Sequence, residues 1–249
     1  MVAFFRQIRR ALVESASARR YLIYAIGEVV LVMIGILLAL QVNNWNEEKK
    51  AKEKERRILL EIVNSIDQDL MLYDDAFQWR LDMKRTSIDS LLAFIGKKEP
   101  IPIQTLMRLY NRSKMDPVFR FDNGPFEALK SQGLDIIRVD SLRSLINLTY
   151  QVRMPATKKF VDLTQQLNDP QIIALESKIM NRTVKEREDG KWRPELIPAV
   201  ENIASHKFFV EILDLELEKS QEYDRRLSHM RRRLQRVKDN ILVVLHDYE

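Results

Sequence analysis

From Tyr21 to Val42 the chain reads YLIYAIGEVVLVMIGILLALQV, apolar at nearly every position and charged only at Glu28 before the closing Gln41. A helix of about 20 residues covers the roughly 30 Å hydrocarbon layer of a bilayer. The run therefore predicts one transmembrane helix. It is too long for an ordinary signal-peptide core, and no small-residue cleavage pattern follows Ala39. It is read as an uncleaved signal anchor.

The pattern then changes twice. Glu47 to Arg57, EEKKAKEKERR, is almost wholly charged, as a solvated stalk would be. Next, Leu59, Ile62, Ile66, Leu70, Tyr73 and Phe77 recur at steps of three or four, the period of a helix with one buried stripe. One helix is expected from Asn43 to about Arg80, roughly 55 Å long. A shorter helix is expected over Thr86–Ile95, stopped by Gly96, followed by a linker at Pro100 and Pro102. Leu106, Met107 and Tyr110 suggest another short helix. Asp116-Pro117 could open a helical turn, and so could Gly124-Pro125, with Phe126, Leu129 and Leu134 apolar and Gly133 as the stop. Asp140 is the expected N-cap of a helix that turns Leu142, Leu145, Ile146 and Tyr150 inward. Pro155 should break or kink it, and Asn168-Asp169-Pro170 offers a restart. Residues 171 to about 187 read as helix ending at Gly190, with Pro194 and Pro198 bounding a connector.

The last segment, about 202–246, has no internal Gly or Pro. Phe208, Ile212, Leu215, Tyr223, Leu227, Met230, Leu234, Val237, Ile241 and Val244 follow the helical period, and Lys219 is the one gap in that series. A helix of roughly 65 Å implies coiled-coil-like packing against other long helices. The fold class is all-α: one N-terminal transmembrane helix, then an elongated soluble helical bundle whose last helix returns toward the membrane. The divisions are a basic amphipathic segment at 1–20, the transmembrane helix at 21–42 and the bundle at 43–249.

Composition agrees with helices and excludes several chemistries. Of 249 residues, 45% are hydrophobic and 31% charged, which excludes a disordered chain, while 6 Gly and 8 Pro leave few turns. The net charge of +5 is too mild to indicate a nucleic-acid partner, and none is expected. The absence of Cys excludes disulfides and thiol chemistry, and fits either side of a membrane. His206, His229 and His246 form no metal motif, and no glycine-rich phosphate loop or G-x-S-x-G elbow occurs. Asp74-Asp75 and Glu47-Glu48 are helix neighbours that point apart, so neither pair is a catalytic dyad. Asn147-Leu-Thr and Asn181-Arg-Thr match the glycosylation pattern, which is common by chance. No catalytic residue, cofactor or metal is assigned, and the balance is against an enzyme.

Charge placement orients the anchor. Arg6, Arg9, Arg10, Arg19 and Arg20 precede it, and Asn43, Asn44, Trp45, Asn46, Glu47 and Glu48 follow. An N-terminus in the cytoplasm and an extracytoplasmic, periplasmic domain are expected. The same arginines, with Phe4, Phe5, Ile8 and Leu12, could lie against anionic lipid. A basic band in the last helix, Arg225, Arg226, Arg231, Arg232, Arg233, Arg236 and Lys238, could also touch headgroups. The acidic stretch before it, Glu211, Asp214, Glu216, Glu218, Glu222 and Asp224, could pair with other helices. A solvated helix face is the simpler reading of both.

Glu28 lies roughly 5 Å from the middle of the span. A carboxylate there must be neutralised, paired or turned toward protein or water. At about 100° per residue, Tyr24, Glu28, Leu31, Gly35 and Ala39 share one narrow face, and Gly35 with Ala39 forms a small-xxx-small pair. The face is read as a helix–helix contact surface, with a homo-oligomer or a membrane protein as partner.

FFRQIRR followed by RYLIYAIGEVVLVMIGILLALQVNNWNEEKK resembles the opening of a family of uncharacterised single-pass proteins from Bacteroidota, known only as a domain of unknown function. The likeness covers residues 4–50, notably YAIGE and ALQVNNWNE, and extends to FEALKSQGLDIIRVDSLRSLINLTY at 126–150. It implies a bacterial inner-membrane protein and supplies no activity. Two functions fit: a non-enzymatic membrane-anchored scaffold or assembly subunit acting through helix contacts, and an extracytoplasmic sensor signalling through a membrane partner. An enzyme would instead bring several buried ionisable groups together in a cleft.

Overall fold

The computed structural model describes residues 16–97 and 101–248. The chain divides into two compact units, up to Lys54 and from Glu55 onward. The fold is all-α with an inserted β-hairpin: a long apolar N-terminal helix and then a bundle of shorter helices.

The first helix, α1, runs Ala16–Leu72. In the first unit its apolar residues between Leu22 and Val42 stand exposed, and the stretch is long and apolar enough to cross a membrane.

In the second unit α1 passes through a π-helical turn, Tyr73–Gln78, into α2, Trp79–Lys97. No separate helix begins at Thr86, because the buried stripe does not end at Phe77. It continues through Leu81, Lys84, Ile88 and Leu91, and a charged residue occupies one of its inward positions. The wider π turn keeps Tyr73 and Phe77 on the buried side.

Helix α3, Ile103–Ser113, and helix α4, Gly124–Gln132, fall where expected, and Gly133 ends α4 with φ of 105°. Asp116-Pro117 opens no helix. Residues 115–123 run as irregular chain, held by their polar groups: Gln165 donates to the Pro117 carbonyl at 3.2 Å and the Asp122 amide donates to Asp69 at 2.9 Å.

Helix α5, Asp140–Asn147, starts at the expected residue, but the Asp140 carboxylate accepts from Arg143 at 2.5 Å and caps nothing. A second π turn, Leu148–Arg153, leads into α6, Met154–Glu176. Neither proline interrupts this run. Pro155 stands directly after the π turn, and Pro170 is carried inside α6.

The largest departure from expectation follows. Residues 180–198 form a two-stranded antiparallel ribbon, β1 Met180–Glu186 and β2 Trp192–Pro198, and not a helix with a connector. Asp189-Gly190 closes the turn with Gly190 at φ 72°, a backbone that favours glycine. Pro194 and Pro198 are disfavoured in a helix interior and fit a strand with one free edge. The last helix, α7, Lys207–His246, follows a short 3-10 turn, and the His206 ring nitrogen Nδ1 accepts from the Phe208 amide at 3.3 Å.

Helix α7 packs on α2, α5 and α6. Two apolar cores result. One joins Ile58–Leu70 of α1 to α5 and to Tyr223–Leu245 of α7. The other joins Leu91, α3, the end of α6 and Phe209–Leu213 of α7.

Candidate functional site

The interval between the two cores is polar. Along α2 the buried residues pass from Leu81 to Lys84 and Ser87, then back to Ile88 and Leu91. Along α7 they pass from Leu213 to Glu216, Lys219 and Ser220, then to Tyr223. The same interval on α6 carries Asp169, and the irregular chain after α3 supplies Asp116. Four segments thus meet in one ionic layer.

Within it the Lys84 ammonium, fully buried, donates to the Ser113 carbonyl at 2.8 Å, to Asp116 at 2.9 Å and to Glu216. The Lys219 ammonium meets Asp116 at 2.7 Å and Asp169 at 2.9 Å, with Glu216 at 3.6 Å. Burial acts to lower the Lys219 pKa, but Glu216 and Asp116 outweigh it and leave it raised, so the residue stays charged. The Tyr223 hydroxyl is pushed up by burial and then by Asp116, Asp169 and Glu216. Beside the layer, Glu176 accepts from the Tyr110 hydroxyl at 2.8 Å and from Lys114 at 2.6 Å.

Buried ionisable groups do converge here, and the lysine protons are taken up by acceptors within the layer. An ammonium has three protons to donate, and each lysine faces three acceptors. A shallow groove of about 350 Å³ reaches Asp169, lined also by Asp162, Gln165 and Ile173, and its walls include neither lysine nor Glu216. The arrangement ties four segments together through charge.

Sequence reasoning missed Lys84 and Asp116. Glu216, one of the acids that could pair with other helices, does pair with Lys84 and is buried, where a solvated face was the simpler reading. Its neighbour Lys219, the gap in the apolar series, was the available signal.

Two further polar contacts brace the second unit. The fully buried Glu55 accepts from the Arg138 amide at 2.9 Å and from the Tyr248 hydroxyl at 2.6 Å. Burial and then Glu55 push Tyr248 up to about 12. Asp69, also buried, is raised to about 6 by burial against the opposing Asp122 amide bond.

The basic residues of α7 divide. Arg231 binds Asp74 at 2.8 and 2.9 Å, Arg225 binds Glu222 at 2.6 Å, and Lys238 binds Asp67 at 2.5 Å. A groove of about 400 Å³ between α6 and α7 is lined by Arg153, Arg225, Arg226, His229, Met230 and Arg233.

The five residues of the expected contact face, Tyr24, Glu28, Leu31, Gly35 and Ala39, lie along α1 in the first unit and are exposed. Among the described residues, and apart from its chain neighbours and the adjoining turns of its own helix backbone, nothing lies within 4 Å of where a Cβ on Gly35 would sit. Arg19 and Arg20 are exposed, and Arg6, Arg9 and Arg10 fall outside the described residues.

Residues 28–150 match a family of unknown function (DUF6090). The match begins at Glu28 and ends in the π turn before α6, so it takes in Lys84 and Asp116 of the ionic layer but not Asp169, Glu216 or Lys219. No curated protein and no solved structure matches the chain.

Proposed function

We propose that the protein is a non-enzymatic scaffold or assembly subunit of the bacterial inner membrane. Residues 21–42 cross the bilayer, the N-terminus is cytoplasmic and the second unit is periplasmic. The face Tyr24, Glu28, Leu31, Gly35 and Ala39 binds a second copy or a membrane protein partner.

The carrying observation is the exposed apolar stretch of α1, with one carboxylate and two small residues on the same face. Among the described residues Glu28 has no hydrogen-bond or ion-pair partner. In hydrocarbon such a group gains most from a donor on a neighbouring helix, and Gly35 and Ala39 allow that helix to come close. The closed ionic layer supports a structural role for the domain: its charges are spent on one another.

The test is association in the membrane, followed by proximity cross-linking from a cysteine placed beside the face. Gly35→Leu should weaken association while leaving the chain itself intact, because among the described residues nothing beyond the adjoining backbone of its own helix lies within 4 Å of a Cβ there. Unchanged association would refute the assigned face. A periplasmic sensor signalling through a membrane partner is the second reading. The observation favouring it is the basic groove, which offers the domain a place for a ligand.

A further inference from the structure

The groove between α6 and α7 gathers positive charge, and of its arginines only Arg225 has a carboxylate partner among the described residues. Arg153 comes from the π turn before α6, and Arg225, Arg226, His229 and Arg233 come from successive turns of α7; no carboxylate lines it. The nearby acids are engaged elsewhere, Asp74 by Arg231, Asp67 by Lys238 and Glu222 by Arg225 at the rim. Among the described residues, Arg153, Arg226, Arg233 and Arg236 have no carboxylate partner. Arg226 lies over the Phe160 ring at 4.1 Å, which fixes its plane. Burial, and then the charges of Arg153 and Arg236, hold the Arg233 guanidinium below the usual arginine range.

Helix packing alone requires none of this. Like charges drawn together at a partly buried surface repel, and an anion between them reverses the sign. Guanidinium forks match the oxygens of a phosphate two at a time. About 400 Å³ exceeds one phosphate and lies within the range of small-ligand sites, and Ala156 and Met230 give it an apolar wall for an organic portion.

We propose that this groove is a binding site for a phosphate-bearing anion. The phosphate can come from a soluble ligand or from a lipid headgroup. The proposal does not rest on the scaffold reading.

The test uses the full chain in mild detergent, titrated with inorganic pyrophosphate at constant ionic strength and followed by calorimetry and by melting temperature. Saturable binding and a raised melting temperature are expected. Arg153→Gln with Arg233→Gln should weaken binding by about ten-fold or more for each guanidinium removed. Its ligand-free melting temperature should equal or exceed the parent's, since repulsion is relieved. Arg182→Gln with Lys185→Gln, on the exposed part of β1, removes the same charge outside the groove and should leave binding unchanged. Absent binding, equal loss in both double variants, or unchanged binding in the first would each overturn the proposal.

The source is read in nanodiscs. Weaker pyrophosphate binding in phosphatidylglycerol than in phosphatidylcholine assigns the groove to a headgroup. Equal binding assigns it to a soluble phosphate.

Discussion

Lys219 and Asp116 meet at 2.7 Å in the layer that parts the two apolar cores of the second unit. Asp116 also binds Lys84, so one carboxylate ties α2 to α7 across an irregular chain. Apolar side chains alone would allow α7 to slide by a turn, because successive turns of a Leu- and Ile-rich stripe are alike. An ionic layer between the cores admits one register.

Lys84→Met should therefore be costly. It leaves the buried Glu216 with only the longer 3.6 Å approach of Lys219 and weakens the hold on Asp116. A loss of about 3–5 kcal/mol is expected from breaking one side of a buried pair. Lys219→Met should cost less, because its partner Asp169 is half exposed and water can take over. Urea unfolding of the full chain in detergent measures both, and equal midpoints for Lys84→Met and the parent would contradict the role given to the layer.

Asp69 gives the domain a pH dependence. Its carboxyl releases its proton near 3.8 when exposed and near 6 when folded. Between these values the folded state holds the proton more tightly, so stability falls as pH rises through the window. Asp69→Asn removes the effect and can still accept from the Asp122 amide. The variant should be the more stable by about 1–3 kcal/mol at neutral pH, with the gap closing toward the lower value. A gap independent of pH would refute this.

Gly133 is the backbone position least open to change. Its φ is 105°, and a Cβ there would meet the Asp135 carboxylate at 2.5 Å. Gly133→Ala should lower stability by about 1–2 kcal/mol or more. A thermal melt indistinguishable from the parent's would show that the turn after α4 relaxes freely.

The helices were legible where one physical signal dominated. The steps of three and four from Phe208 to Val244 found α7, and Gly124-Pro125 with Gly133 found both ends of α4. The hairpin was not legible, because MNRTVKE and WRPELIP carry the charged and proline residues of a loop and bury only Met180 fully. The long run from α1 into α2 was cut short at Arg80 because Lys84 reads as solvent-facing until its partners, 32 and 132 residues away, are in place. Of the ionic layer only Lys219 stood out, since a charge interrupting an apolar stripe is visible locally while its acceptors come from distant segments.

The most direct test of the scaffold proposal is the mass and composition of the intact complex extracted from native membranes in mild detergent, for the parent and for Gly35→Leu. A defined oligomer or a stoichiometric second protein is predicted for the parent, with loss of that species in the variant. A parent that runs as a single monomer with nothing attached would contradict it, and the groove of Arg153 and Arg233 would become the place to look for function.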